Sequence, residues 1–228
     1  MRYLRKNLKT AFILAGLVLL VAVVREFVTI PASSEEVKLV KDGNDFAKAS
    51  LETGTETGMK PLIDIKANAA GAFGEGGKVA FGWETEKRWP IASLTKLMTA
   101  LVAFENISPK EVITITEEAI EIEGVSGNFA AGEKFKLNDL VKAMMLVSSN
   151  DAAGAISFHF GEDNFLASMN KKALELGMTN TNFVDPTGLS FKNQSTVNDL
   201  IRLTEYIRET QPEILAVTRK PKDVITEV

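Results

Sequence analysis

The sequence contains no cysteine and a single histidine, His159. Without cysteine there is no disulfide, no thiolate nucleophile and no cysteine-ligated metal. With one histidine, a multi-histidine zinc site cannot be built, and a Ser-His-Asp triad would have to use His159. That residue sits in "AISFHF", which reads as a helix face, so a structural role is the simpler reading. An excess of one charge is also lacking: 26 basic and 30 acidic residues among 228 give a net charge of −4. No basic run follows residue 10, so nothing points to a nucleic-acid partner. A hydrophobic content of 45% argues against disorder throughout and suffices for one substantial globular domain with appendages.

What is present begins with a targeting pattern. "MRYLRKNLK" carries four basic residues and no acidic one, and Ala11–Val24 follows as fourteen uncharged, mostly apolar residues. A basic head before an apolar run directs secretion and leaves the basic end in the cytoplasm. As a signal peptide, its cleavage site would be Ala32-Ser33-Ser34, before Glu35. As an anchor, fourteen residues at about 1.5 Å each fall short of a hydrocarbon core of roughly 30 Å. Phe27, Val28 and Ile30 could extend it while Arg25 snorkels. The weak cleavage site, distant from the apolar run, favours a retained anchor. Residues 1–10 are then a cytoplasmic segment, 11–30 a signal-anchor or signal peptide, and the rest extracytoplasmic, or secreted if cleaved.

Residues 31–60 are of mixed charge and include "ETGTETG", so they read as a linker with little core. From 61 to 228 the pattern is that of a folded domain. "LIDIKA" and "KVAFGW" predict a hairpin around a Gly-rich turn. That turn, "GAFGEGG", lacks the Lys-Ser/Thr ending of a phosphate loop. Helices are expected over 93–106, 137–147, 151–160, 163–176 (stopped by Gly177) and 196–209. "NFVDPTGLS" reads as a turn-rich loop.

Helix 93–106 carries an unusual pair. On a helical wheel, Leu94, Leu97, Met98, Leu101, Val102 and Phe104 form an apolar side. Ser93, Lys96, Ala100 and Ala103 share another, with Thr99 at its edge. Ser93 and Lys96 are three apart and therefore neighbours. A serine hydroxyl attacks poorly until a base takes its proton. A lysine can serve if burial leaves part of it neutral. An N-capping serine beside an exposed lysine is the plain alternative. Downstream, "VSSNDAA" places Ser148, Ser149 and Asn150 between two expected helices. There a hydroxyl and an amide could relay a proton and hold a carbonyl, or merely cap a helix.

Together, "PIASLTKLMTALV" and "MMLVSSNDAAGAIS" resemble the S-x-x-K and S-x-N motifs of the D-alanyl-D-alanine carboxypeptidases, the low-molecular-weight penicillin-binding proteins. "FLASMNKKALELGMTNTNFVDPTGLS" and "STVNDLIRL" resemble the segments that follow in that family, and the likeness runs from about residue 61 to 210. The resemblance implies an α/β (α+β) fold of the β-lactamase/transpeptidase-like kind: an antiparallel sheet with flanking helices and a helical subdomain. It implies that Ser93 attacks the bond between two D-alanines of a peptidoglycan stem peptide, and that Lys96 accepts its proton. Ser148 would pass that proton to the leaving group, and Asn150 would hold substrate backbone. It further implies an acyl-enzyme on Ser93, half an oxyanion hole from the Ser93 N–H, inhibition by β-lactams, and neither metal nor organic cofactor. A class A β-lactamase would add E-x-x-L-N after Asn150. None is present, and "EKFKLN" (133–138) lies upstream.

The third family motif, K-T-G, is absent; the "KDG" at Lys41 lies before the nucleophile. In the family it sits on a strand roughly a hundred residues after S-x-N, so the expectation is that the chain is the N-terminal part of a longer enzyme. Uncovered apolar surface forfeits about 25 cal/mol per Å². The 228-residue chain alone is therefore expected to be inactive and poorly folded. A non-catalytic cell-wall-binding relative, a D,D-endopeptidase and a β-lactamase are the alternatives.

Overall fold

A computed structural model describes residues 38–41, 47–50, 63–65, 67–74, 79–124 and 127–228, all within one compact unit, Glu35–Val228. The N-terminal readings, 1–10 and 11–30, lie outside the described residues. Among the described residues, no helix is long and apolar enough to cross a membrane.

The strands are β1 (Lys38–Lys41), β2 (Ala47–Ser50), β3 (Ile63–Ile65), β4 (Ala70–Phe73), β5 (Val79–Trp83), β6 (Trp89–Pro90), β7 (Val112–Thr114), β8 (Lys134–Lys136) and β9 (Gln194–Ser195). They form antiparallel sheets in the orders β1-β2-β3, β4-β5, β6-β9 and β7-β8. The helices are α1 (Thr95–Asn106), α2 (Glu117–Ile120), α3 (Leu137–Val147), α4 (Asn150–Phe160), α5 (Glu162–Glu175), α6 (Val197–Thr210) and α7 (Pro212–Thr218).

Two expectations differ from this arrangement. The stretch 31–60, read as a linker, contains β1 and β2. And "LIDIKA" does not pair with "KVAFGW": β3 pairs with β2, whereas β5 pairs with β4, inside the stretch read as a turn. The reason lies outside the segment. Gly71 is a strand residue whose missing Cβ makes room for Val197 at the start of α6, 2.7 Å from where that atom would lie. Glycine in a strand often marks such a close approach.

The five expected helices fall where periodicity places them, within a residue or two at each end, and the short helices α2 and α7 are additional. Their boundaries have visible causes. The Thr116, Ser149 and Thr196 hydroxyls accept the N–H of Ala119, Ala152 and Asp199, capping α2, α4 and α6. Pro212 opens α7, where its missing N–H is harmless. Past the end of α5, Gly177 takes φ +69° and Met178 N–H returns to the Ala173 carbonyl at 2.8 Å.

α1 is the central helix, packed by α3, α4, α5, α6 and α7. Met98, Leu101 and Val102 are buried, each worth about 1.5–3 kcal/mol of transfer free energy. Its polar, small-residue side is buried as well: Thr95, Lys96, Thr99, Ala100 and Ala103 are all inside, while Leu94, Leu97 and Phe104 are only half-buried. Small side chains let neighbours close over that face, and the next elements do so.

Candidate active site

Ser93 stands in a tight turn just before α1. It lies in a 3-10 turn, Ala92–Leu94, that leads straight into α1. Helix α1 therefore begins two residues later than the wheel placed it, with Lys96 in its first full turn. Just before Ser93, Ala92 has φ +45°, a left-handed conformation that costs a non-glycine residue about 1–3 kcal/mol. Such strain persists only where the surroundings enforce it.

The three residues Ser148, Ser149 and Asn150 divide two tasks. Ser149 caps α4 and is fully buried. Its neighbours are thereby turned toward Ser93. Ser148 ends α3 in the left-handed region, at φ +59°, and its hydroxyl donates to Ser93 Oγ at 2.9 Å. Asn150 opens α4; its Oδ1 accepts from Lys96 Nζ at 2.8 Å and its Nδ2 donates to the Glu123 carbonyl at 2.8 Å. Gly124, at φ +100°, gives that amide room: a Cβ there would lie 2.7 Å from Asn150 Nδ2.

Lys96 is 2% exposed. Its Nζ donates to the Thr187 carbonyl at 2.7 Å, to Asn150 Oδ1 at 2.8 Å and, more weakly, to Ser93 Oγ at 3.4 Å. Burial pushes its pKa from the ordinary 10.5 down to about 8, against the opposing pull of the Asp185 charge. At pH 7 about one amine in ten is then neutral. A neutral amine beside a serine hydroxyl can take its proton. All four residues named from the sequence, Ser93, Lys96, Ser148 and Asn150, thus meet at one place. His159, near the end of α4, does not join them: its Nε2 pairs with Glu111 Oε1 at 2.8 Å.

Sequence reasoning missed a second contributor, the loop 182–193. The Thr187 carbonyl binds the amine, and the Pro186 carbonyl accepts from Thr99 Oγ1 at 2.7 Å. Asn193 Nδ2 donates to Thr95 Oγ1 at 3.1 Å. Gly188, at φ +87°, lies so close to the 3-10 turn that a Cβ would sit 2.0 Å from the Ala92 carbonyl oxygen. The signal was there in "DPTGLS", but a backbone carbonyl that binds a lysine has no side-chain signature.

Among the described residues no cluster of His, Asp or Glu could hold a metal ion.

A family model described as D-alanyl-D-alanine carboxypeptidase matches residues 44–227. A D-alanyl-D-alanine endopeptidase of Pseudomonas aeruginosa is 37% identical over 157 residues, 64% of this chain and 51% of that protein. The D-alanyl-D-alanine carboxypeptidase DacF of Bacillus subtilis is 36% identical over 121 residues, 50% of this chain and 31% of that protein. The crystal structure of the D-alanyl-D-alanine carboxypeptidase DacD from Francisella tularensis superposes with a TM-score of 0.64 at 31% identity, over 72% of this chain and 42% of that one. The fold is therefore the mixed α/β fold of these peptidases. The chain spans about half the length of the curated relatives it matches.

Proposed function

The chain belongs to the D-alanyl-D-alanine carboxypeptidase family, and from that premise we propose that the protein is a serine-type D-Ala-D-Ala carboxypeptidase acting on peptidoglycan stem peptides. The observation that carries the proposal is the buried Lys96 amine, shared between Asn150, Thr187 and Ser93, with the Ser148 hydroxyl donating to the same Ser93 oxygen.

The steps use only these groups. Neutral Lys96 takes the Ser93 proton as Ser93 Oγ bonds to the carbonyl carbon between the two D-alanines. The C–N bond of the tetrahedral intermediate breaks, and the leaving nitrogen receives a proton through Ser148. D-Alanine departs, an acyl-enzyme remains on Ser93, and water hydrolyses it. Asn150 Nδ2 and the Ser93 N–H would hold substrate backbone and oxyanion. β-Lactams acylate the same serine. Membrane attachment belongs to this proposal: an N-terminal segment holds the domain on the extracytoplasmic face, where peptidoglycan lies.

A second reading has its own support, because the first relatives are endopeptidases. Release of D-alanine from a pentapeptide stem supports the carboxypeptidase. Cleavage of cross-linked dimers with no D-alanine released supports the endopeptidase. Peptide mapping after incubation with a penicillin tests both: the adduct is expected on the peptide carrying Ser93, and an adduct that survives in Ser93→Ala contradicts either.

A further inference from the structure

Among the described residues, Asp185 is the acidic side chain whose charge acts on Lys96, yet no hydrogen bond or ion pair joins the two. Its carboxylate is wholly occupied in its own turn. Oδ1 accepts from Thr187 N–H at 2.8 Å, Thr187 Oγ1 at 2.7 Å and Gly188 N–H at 2.6 Å, and Oδ2 accepts from Ser190 N–H at 2.9 Å. Asn193 fastens the same turn from below. Its Oδ1 accepts from Val184 N–H at 2.8 Å and its Nδ2 donates to the Asp185 carbonyl at 2.9 Å. The turn is then fixed to α1 through Thr95 and Thr99, and Gly188 rests on the Ala92 carbonyl.

The amine's geometry gives this turn a consequence. A neutral amine has two hydrogens and one lone pair in a tetrahedral arrangement. Asn150 Oδ1 and the Thr187 carbonyl can only accept, so they claim the two hydrogens. The lone pair is left for the third neighbour, Ser93 Oγ. Without the Thr187 carbonyl, a hydrogen could rotate toward Ser93 and the lone pair away.

We propose that Asp185 is a positioning residue for the Lys96 amine: by shaping the Asp185–Gly188 turn it holds the Thr187 carbonyl on one N–H and so aims the nitrogen's lone pair at Ser93. The proposal rests on the serine-peptidase reading above. The carboxylate is required because an asparagine would offer Ser190 N–H a second donor in place of an acceptor. Two other acids on elements packed around Lys96 bind backbone elsewhere: Asp151 Oδ2 on α4 accepts from Gly127 N–H, leaving Oδ1 buried without a hydrogen bond, and Asp199 Oδ2 on α6 accepts from Asn180 N–H.

The test is the pH profile of penicillin acylation in full-length protein carrying Asp185→Asn, normalised to folded molecules, beside a titration of the Lys96 amine by its ¹³Cε shift. The acylation rate reached at alkaline pH, where the amine is neutral, is expected to fall about 10- to 100-fold, as for small misplacements of reacting groups. The amine midpoint is expected to move to lower pH, because a charge favouring the ammonium has gone. A merely structural role would lower the folded fraction and leave the normalised rate unchanged; that result overturns the proposal. If Asp185→Asn does not fold, Thr187→Val removes one of the four donors to the carboxylate and should produce a smaller loss in the same direction, with no loss overturning the idea. If wild-type Ser93 is never acylated, the serine-peptidase reading fails. The ¹³Cε titration then still separates the two readings: a buried amine with a low midpoint keeps the Lys96 geometry while the serine chemistry fails, and an ordinary midpoint near 10.5 rejects the buried, held amine on which the proposal rests.

Discussion

At the scale of single residues, the burial of Lys96 has a thermodynamic signature. Its folded pKa of about 8 lies below the ordinary 10.5, so between those values the unfolded chain binds more protons than the folded one. Stability contributed through this group therefore rises with pH across that window, and below pH 8 the full penalty, about 3 kcal/mol, is present. The unfolding free energy of wild type minus that of Lys96→Met should climb from pH 8 to 10.5; a flat difference would mean a solvated lysine. Ser148 carries the opposite tension. Its left-handed backbone, φ +59°, suits glycine better. Ser148→Gly should leave stability within about 1 kcal/mol of wild type while slowing acylation about 100-fold or more. Equal rates would remove Ser148 from the proton path.

At the scale of elements, the loop 182–193 and the turn before α1 form one unit. Gly188→Ala would drive a Cβ to 2.0 Å from the Ala92 carbonyl oxygen and strain a backbone at φ +87°. Chemical denaturation should show a loss of about 2–4 kcal/mol. A loss below 0.5 kcal/mol would mean that the loop does not press on the Ser93 turn. This unit also marks where sequence reading stops. Helices with caps and regular apolar spacing were legible because their causes are local: the apolar spacing of α3, the threonine before α6, Gly177 after α5. The pair Ser93 and Lys96 was legible because three-residue spacing fixes neighbours on a helix. The Thr187 carbonyl, the Gly188 contact and the β4-β5 pairing were not, because each depends on chain segments meeting across the fold. Residue 71 shows the limit well: the same glycine that suggests a turn in isolation serves a strand once Val197 is set against it.

At the scale of the whole molecule, the proposed extracytoplasmic placement rests on the basic head and apolar run at the N-terminus. Fusing alkaline phosphatase after residue 60 should give an enzyme active outside the cytoplasm, and removing residues 1–30 should abolish that activity. A fusion that stays cytoplasmic in both forms would contradict the placement. The functional account, in contrast, turns on a single proton transfer. Its most direct test is the second-order rate constant for penicillin acylation of Ser93 as a function of pH, which reports groups in the free enzyme. The account predicts an acid limb with a midpoint of about 8, matching Lys96, and a loss of about 10³-fold or more in Lys96→Arg, whose guanidinium cannot shed its proton. Acylation of Lys96→Arg at the wild-type rate would contradict it.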